Sequence, residues 1–172
     1  MKHSKLHLLI LIVLLSFFWG CKQYPENPYR PILLYPITIY PNSTHYIDPS
    51  TGHYHSLSNL FDWVYITADI ESTSRGIIVY RYSDNEFFAY DRMPPNDPDA
   101  CTDSQGNTTR LVVEDDMFVV DRCNNAYYNI LDGQLIVREP DMIPDFPTTG
   151  TMVYPLIQYR TTFDGNKLVI SN

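Results

Sequence analysis

The chain has 172 residues and carries 12 Lys and Arg against 20 Asp and Glu, a net charge of −8 at pH 7. That balance excludes a general attraction for nucleic acid or anionic headgroups, and no block of basic residues supplies one locally. With 44% hydrophobic and 14% aromatic residues, the chain has the material for a packed core, which excludes general disorder.

The chain opens on MKHSKLHLLILIVLLSFFWGCK. Lys2 and Lys5 precede an apolar run from Leu8 to Trp19, and Gly20 and Cys21 close it. A charged start, a short apolar core and a small residue before the cut are the layout of a secretory signal peptide. The run is too short for a membrane span, which needs roughly twenty residues. The Gly-Cys ending resembles the lipobox of bacterial lipoproteins. That resemblance implies acylation of Cys21 after removal of residues 1–20, and a lipid-anchored protein of the bacterial envelope. Phe18 and Trp19 depart from the usual lipobox, and the alternative is ordinary cleavage with a free Cys21. Loss of Lys2 and Lys5 leaves ten cations against 20 carboxylates, a mature charge of −10. Lipid, not charge, would then hold the chain at a membrane.

Residues 21–32 (CKQYPENPYRPI) read as a Pro-rich tether, and residues 33–172 fit one domain. Abundant Tyr, Val, Ile and Thr with Pro-rich connections predicts β structure. Leu33 to Tyr40 is a first strand, which Pro36 confines to an edge or bulge. Pro41 to Asn59 reads as turn-rich. Trp63 to Ile66 is a short strand. Gly76 to Tyr82 and Glu86 to Tyr90 form a hairpin around Ser83-Asp84-Asn85. Met93 to Gly106 is a long loop. Arg110 to Val113 pairs with Met117 to Val120 around Glu114-Asp115-Asp116. Asp121 to Ala126 is a second polar loop. Tyr127 to Leu131 and Gln134 to Val137 flank the Asp132-Gly133 turn. Glu139 to Gly150 is loop, and Tyr154 to Phe163 with Lys167 to Ile170 form a last hairpin. Short strands at this spacing predict an all-β antiparallel sandwich or small barrel. With Cys21 acylated, Cys101 and Cys123 remain, and two thiols in an exported protein most often pair.

Three segments, GIIVYRYSDNEFFAYDR with its proline loop, VVDRCNNAYYNILDG and TTFDGNKLVI, resemble in this order a Rieske-type [2Fe–2S] domain. In that family two hairpin loops each offer one Cys and one His to the cluster. Counting from Asp91-Arg92 puts Pro94 at the first cysteine and Asn96 at the first histidine. Counting back from Asp132-Gly133 puts Tyr128 at the aromatic position, Asp121 at the second cysteine and Asn124 at the second histidine. All four ligand positions are thus changed, and none of the new side chains offers sulfur or imidazole. The resemblance therefore implies a Rieske-like fold from which the cluster is absent, with no cofactor in its place. It also implies a Cys101–Cys123 bridge joining the two loops, as in family members that carry an extra cysteine in each. The stretch between Asn96 and Asp121 is longer than usual, which implies an insertion in the first loop.

Other constellations are weaker. His53-Tyr54-His55 has metal-pair spacing on a strand, but no third ligand is evident and an exposed turn is the blander account. Asp97, Asp99, Asp103 and Asp121 lack calcium-loop spacing and read as turn residues. No serine-nucleophile or phosphate-loop motif is present. Tyr24, Tyr29, Tyr40, Tyr46 and Tyr54 could offer contact surface near the tether. The expectation is a non-catalytic envelope lipoprotein with a binding or structural role and an envelope protein as partner. The alternatives are electron transfer or redox cycling of the cysteine pair, and, more weakly, a metal-dependent enzyme.

Overall fold

The computed structural model describes residues 27–47, 52, 54–69, 71–102, 106–136 and 153–172. The predicted signal peptide, the lipidation residue Cys21, Tyr24, His53, Asp103 and the loop Glu139 to Gly150 lie outside them.

The described residues form eleven strands and no helix. They are β1 (Ile37–Ile39), β2 (His45–Ile47), β3 (Tyr54–Ser56), β4 (Trp63–Ile66), β5 (Ile77–Arg81), β6 (Phe87–Asp91), β7 (Val112–Glu114), β8 (Phe118–Asp121), β9 (Ala126–Asn129), β10 (Gln158–Phe163) and β11 (Leu168–Ser171). A six-stranded sheet runs in the order β1-β11-β10-β6-β5-β4, a three-stranded sheet runs β7-β8-β9, and β2-β3 form a separate hairpin. Every pairing is antiparallel. The chain is therefore all-β, as its composition predicts.

The unbroken apolar run of β5 has a direct cause. Ile77 and Val79 point into one core with Val64, Ala89, Leu168 and Ile170, while Ile78 and Tyr80 point into a second with Val119, Ala126 and Tyr128. Alternate side chains leave opposite faces of a strand, and here both faces are covered. The first core draws on both halves of the six-stranded sheet, which must curl to bring them together. The second core is closed by the three-stranded sheet. Two polar ties fix that layer: Trp63 Nε1 donates to Asp116 Oδ1 at 2.8 Å, and the Val113 N–H donates to Tyr65 Oη at 2.8 Å.

Four local expectations shift. Pro41 to Asn59 is not only turns, since it holds the β2-β3 hairpin. Its strands carry little apolar alternation, so the pattern is silent. Of Gln134 to Val137, Val137 lies outside the described residues, and Gln134 to Ile136 make one bridge, Tyr128 to Leu135, flanked by bonds from Asn129 N–H to Gln134 O and Ile136 N–H to Tyr127 O. At that turn Gly133 has φ +70, and a Cβ there would meet Tyr90 Cε1 at 3.1 Å and Leu156 Cβ at 3.2 Å. Only glycine fits so tight a left-handed turn. His55 lies on β3, not in a turn, and its ring sits 4.5 Å from that of Trp63. Finally, contacts with the domain begin before residue 33: Asn27 Nδ2 donates to Pro95 O, and the Ile32 N–H donates to Thr73 Oγ1.

Candidate functional site

The first loop leaves β6 at Asp91, a buried carboxylate. Asp91 Oδ1 accepts from the Met93 and Arg75 N–H groups, and Oδ2 accepts from Tyr159 Oη at 2.7 Å. Burial nonetheless pushes its pKa above the usual carboxylate value, against the lowering effect of those donors. Beyond it, Pro94 is buried and offers no donor.

Asn96, further along this loop, is a clip. Its Oδ1 accepts from the Tyr154 N–H at 2.8 Å, while its Nδ2 donates to Tyr154 O and to Tyr128 Oη, each at 3.1 Å. One carboxamide thus pairs with both backbone groups of another residue, as a strand neighbour would.

The second loop follows β8. Asp121 Oδ1 accepts from the Cys123 N–H at 3.0 Å, the local turn that aspartate favours. Asn124 Nδ2 donates to Asp121 Oδ2 at 2.8 Å and to Asn96 O at 3.4 Å. Asn96, Asp121 and Asn124, distant in sequence, therefore meet at one junction. The Cys101–Cys123 disulfide joins the same two loops, with Cα atoms 5.8 Å apart.

The chemistry available at the junction is limited. Asp121 is buried and bonded, and burial pushes the Tyr128 hydroxyl well above its ordinary range. The two cysteines are oxidised. Of the predicted calcium candidates, Asp99 pairs with Arg75 at 2.6 Å. Among the described residues, no three His, Cys, Asp or Glu side chains converge on a metal position.

A second feature was not visible to sequence reasoning. An apolar groove of about 510 Å³ lies where the segment before β4 faces the β7-β8 turn and β9. Phe61, Tyr82, Met117 and Leu131 line it, and they are 56%, 41%, 58% and 42% exposed. A cavity of about 540 Å³ adjoins it through Phe61 and Asp116, adding Tyr54, Leu60 and Asp62. The backbone builds this display. Asp115 and Asp116 take φ 52 and 55, the left-handed turn geometry that aspartate tolerates, and the turn leaves Met117 outward. Phe61 itself takes φ 69, a conformation that costs a bulky residue on the order of 1–2 kcal/mol. The charged side chains around both cavities are carboxylates, Asp62 and Asp116, with His55 beside them and no Lys or Arg.

Leu60-Phe61, two large apolar residues just past the turn-rich stretch, is the signal that could have pointed to this groove. Of the tyrosines singled out from sequence, Tyr29, Tyr40 and Tyr54 are exposed, whereas Tyr46 packs on the first core. Compared with protein-family models, curated proteins and solved structures, the chain matches none of them.

Proposed function

We propose that this chain is a non-catalytic lipoprotein of the bacterial envelope, anchored by lipid on Cys21, whose β domain binds a partner polypeptide. The observation that carries the binding role is the exposed apolar groove around Phe61, Tyr82, Met117 and Leu131. Contiguous exposed apolar surface marks interaction sites, and aromatic residues dominate such contacts. Among the described residues, the charged side chains of fixed sign that line the groove and its adjoining cavity are Asp116 and Asp62. The complementary partner inserts apolar side chains and flanks them with Lys or Arg.

The domain reads as a Rieske-like fold that has lost its cluster. Three things support this: the order of the motifs, the meeting of Asn96, Asp121 and Asn124, and the disulfide between the two loops. The residues at the four ligand positions do not fit a [2Fe–2S] cluster, which needs thiolates and imidazoles. Pro94 has no ligand atom, and the amides and carboxylate hydrogen-bond to one another or to the chain. Electron transfer is the weaker reading for that reason.

The test uses the mature lipidated chain in uncharged detergent. Its probe is a synthetic peptide with Phe and Leu anchors, flanked by lysines in one version and by glutamates in the other. The lysine version should bind more tightly by about tenfold or more. Met117→Lys and Met117→Glu both remove the exposed thioether, so only their sign differs. The lysine substitution should weaken binding well beyond the glutamate one. Equal affinity for both peptides, or a groove closed by a second copy of the chain in sedimentation, would overturn the reading.

A further inference from the structure

Ten cations remain after Lys2 and Lys5 are removed, and three of them, Arg75, Arg92 and Arg110, line one cavity of about 130 Å³. Thr67, Ser74 and Gly76 complete its polar wall, and among the described residues none that lines it is a carboxylate. In a chain this acidic, such a gathering opposes the overall field. Like charges repel one another, so three guanidinium groups share a cavity only with compensation.

The surroundings hold two of the three. Arg75 Nη2 pairs with Asp99 at 2.6 Å, and its Nη1 donates to Thr109 O at 3.0 Å. Arg92 is 5% exposed, its guanidinium lies 3.7 Å over the Tyr65 ring, and its Nε donates to Leu111 O at 3.0 Å. Gly76 makes room for this packing. It has φ +106, and a Cβ there would meet Ile66 O at 3.1 Å and Arg92 Cδ at 3.4 Å. Arg110 differs from both. It is exposed and has no hydrogen bond or ion pair among the described residues. Two positioned guanidinium groups and the exposed Arg110 thus face one cavity beside the Thr67 hydroxyl, while Ser74 Oγ is held by Gly76.

We infer that this cavity binds a phosphate group. Its volume is close to that of an engineered cavity that holds benzene, about 150 Å³. A phosphate head enters such a space, whereas a nucleotide or a peptide does not. Planar guanidinium groups present paired donors that match phosphate oxygens. With Arg75 paired to Asp99, two guanidinium charges remain, and a dianion offsets them better than a single carboxylate does. Two sources share this chemistry, free phosphate and a lipid head in the membrane, and the membrane source alone rests on the lipoprotein reading.

The test titrates the mature lipidated chain in uncharged detergent with inorganic phosphate, and with acetate as the control, by calorimetry. Phosphate should bind saturably and more tightly than acetate. Arg110→Ala should weaken it by about tenfold, with partial rescue in Arg110→Lys. Because Arg110 is exposed, both variants keep the fold, which unchanged unfolding temperatures verify. Phosphatidylcholine vesicles with and without phosphatidic acid then separate the sources. Competition by phosphatidic acid identifies a lipid head, and its absence alongside phosphate binding identifies soluble phosphate. No saturable phosphate binding, or binding indifferent to Arg110→Ala, would overturn the inference. Peptide binding at the groove is measured separately, so the failure of either proposal is distinguishable from failure of the other.

Discussion

At the scale of single residues, Asp91 shows how burial and bonding compete. Four donors, Ser74, Tyr159, Met93 and Arg75, favour its charged form, yet loss of water around the carboxylate outweighs them and its pKa stands above the usual value. The direction sets the sign of a pH effect. A carboxyl whose folded pKa exceeds its unfolded one binds more protons when folded, so folding gains stability as pH falls through the folded pKa toward 3.8. Asp91→Asn keeps an oxygen for the Met93 and Arg75 N–H groups and an amide to donate to Tyr159, and it removes the titration. The stability of the parent relative to Asp91→Asn should therefore rise as the medium is acidified from neutrality. Urea unfolding of both chains across that range measures it. A flat or opposite trend would mean that the donors, not burial, govern this carboxyl.

At the scale of elements, the legible parts were those with a strong local pattern. The β5-β6 and β10-β11 hairpins carry apolar runs broken by Asp and Asn turns, and they formed close to where the pattern placed them. The β2-β3 hairpin escaped notice because His45 to Ile47 and Tyr54 to Ser56 lack an apolar alternation, and its stability comes from packing beside Trp63. The Cys101–Cys123 pairing followed from the cysteine count. The groove did not, because Phe61, Tyr82, Met117 and Leu131 come from four separate turns and are neighbours only after the sheets stack. What locks the two loops is the disulfide, across a separation of 22 residues. Closing a loop of that size removes conformational freedom from the unfolded chain, worth roughly 3 kcal/mol. Replacing Cys101 and Cys123 by serine together should lower the unfolding free energy by about that amount. The loss should fall on the first loop beyond Asn96, read as faster amide exchange there. Loss of the whole second core instead would mean that the bridge holds the layers together and not merely the loops.

At the scale of the whole molecule, the proposed lipoprotein reading sets charge against anchor. A chain cleaved before Cys21 would carry −10, and many envelope surfaces are anionic, so such a domain would be repelled from the bilayer rather than drawn to it. The basic cavity around Arg110 is local, and one phosphate head cannot offset that field over a protein's dimensions. Retention then depends on acyl chains, each buried methylene contributing about 0.8 kcal/mol. Two consequences separate this from an electrostatic attachment. Raising the salt concentration should leave the chain with the membrane fraction, because hydrophobic insertion is not screened. Cys21→Ser, in contrast, should abolish acylation and move the chain out of the lipid-anchored fraction, even at low salt where residual charge contacts are strongest. Fractionation with mass measurement of the N-terminal peptide checks both. If the Cys21→Ser chain remained with the membrane and washed off in salt, a cationic partner at the groove, not lipid, would be holding the protein there.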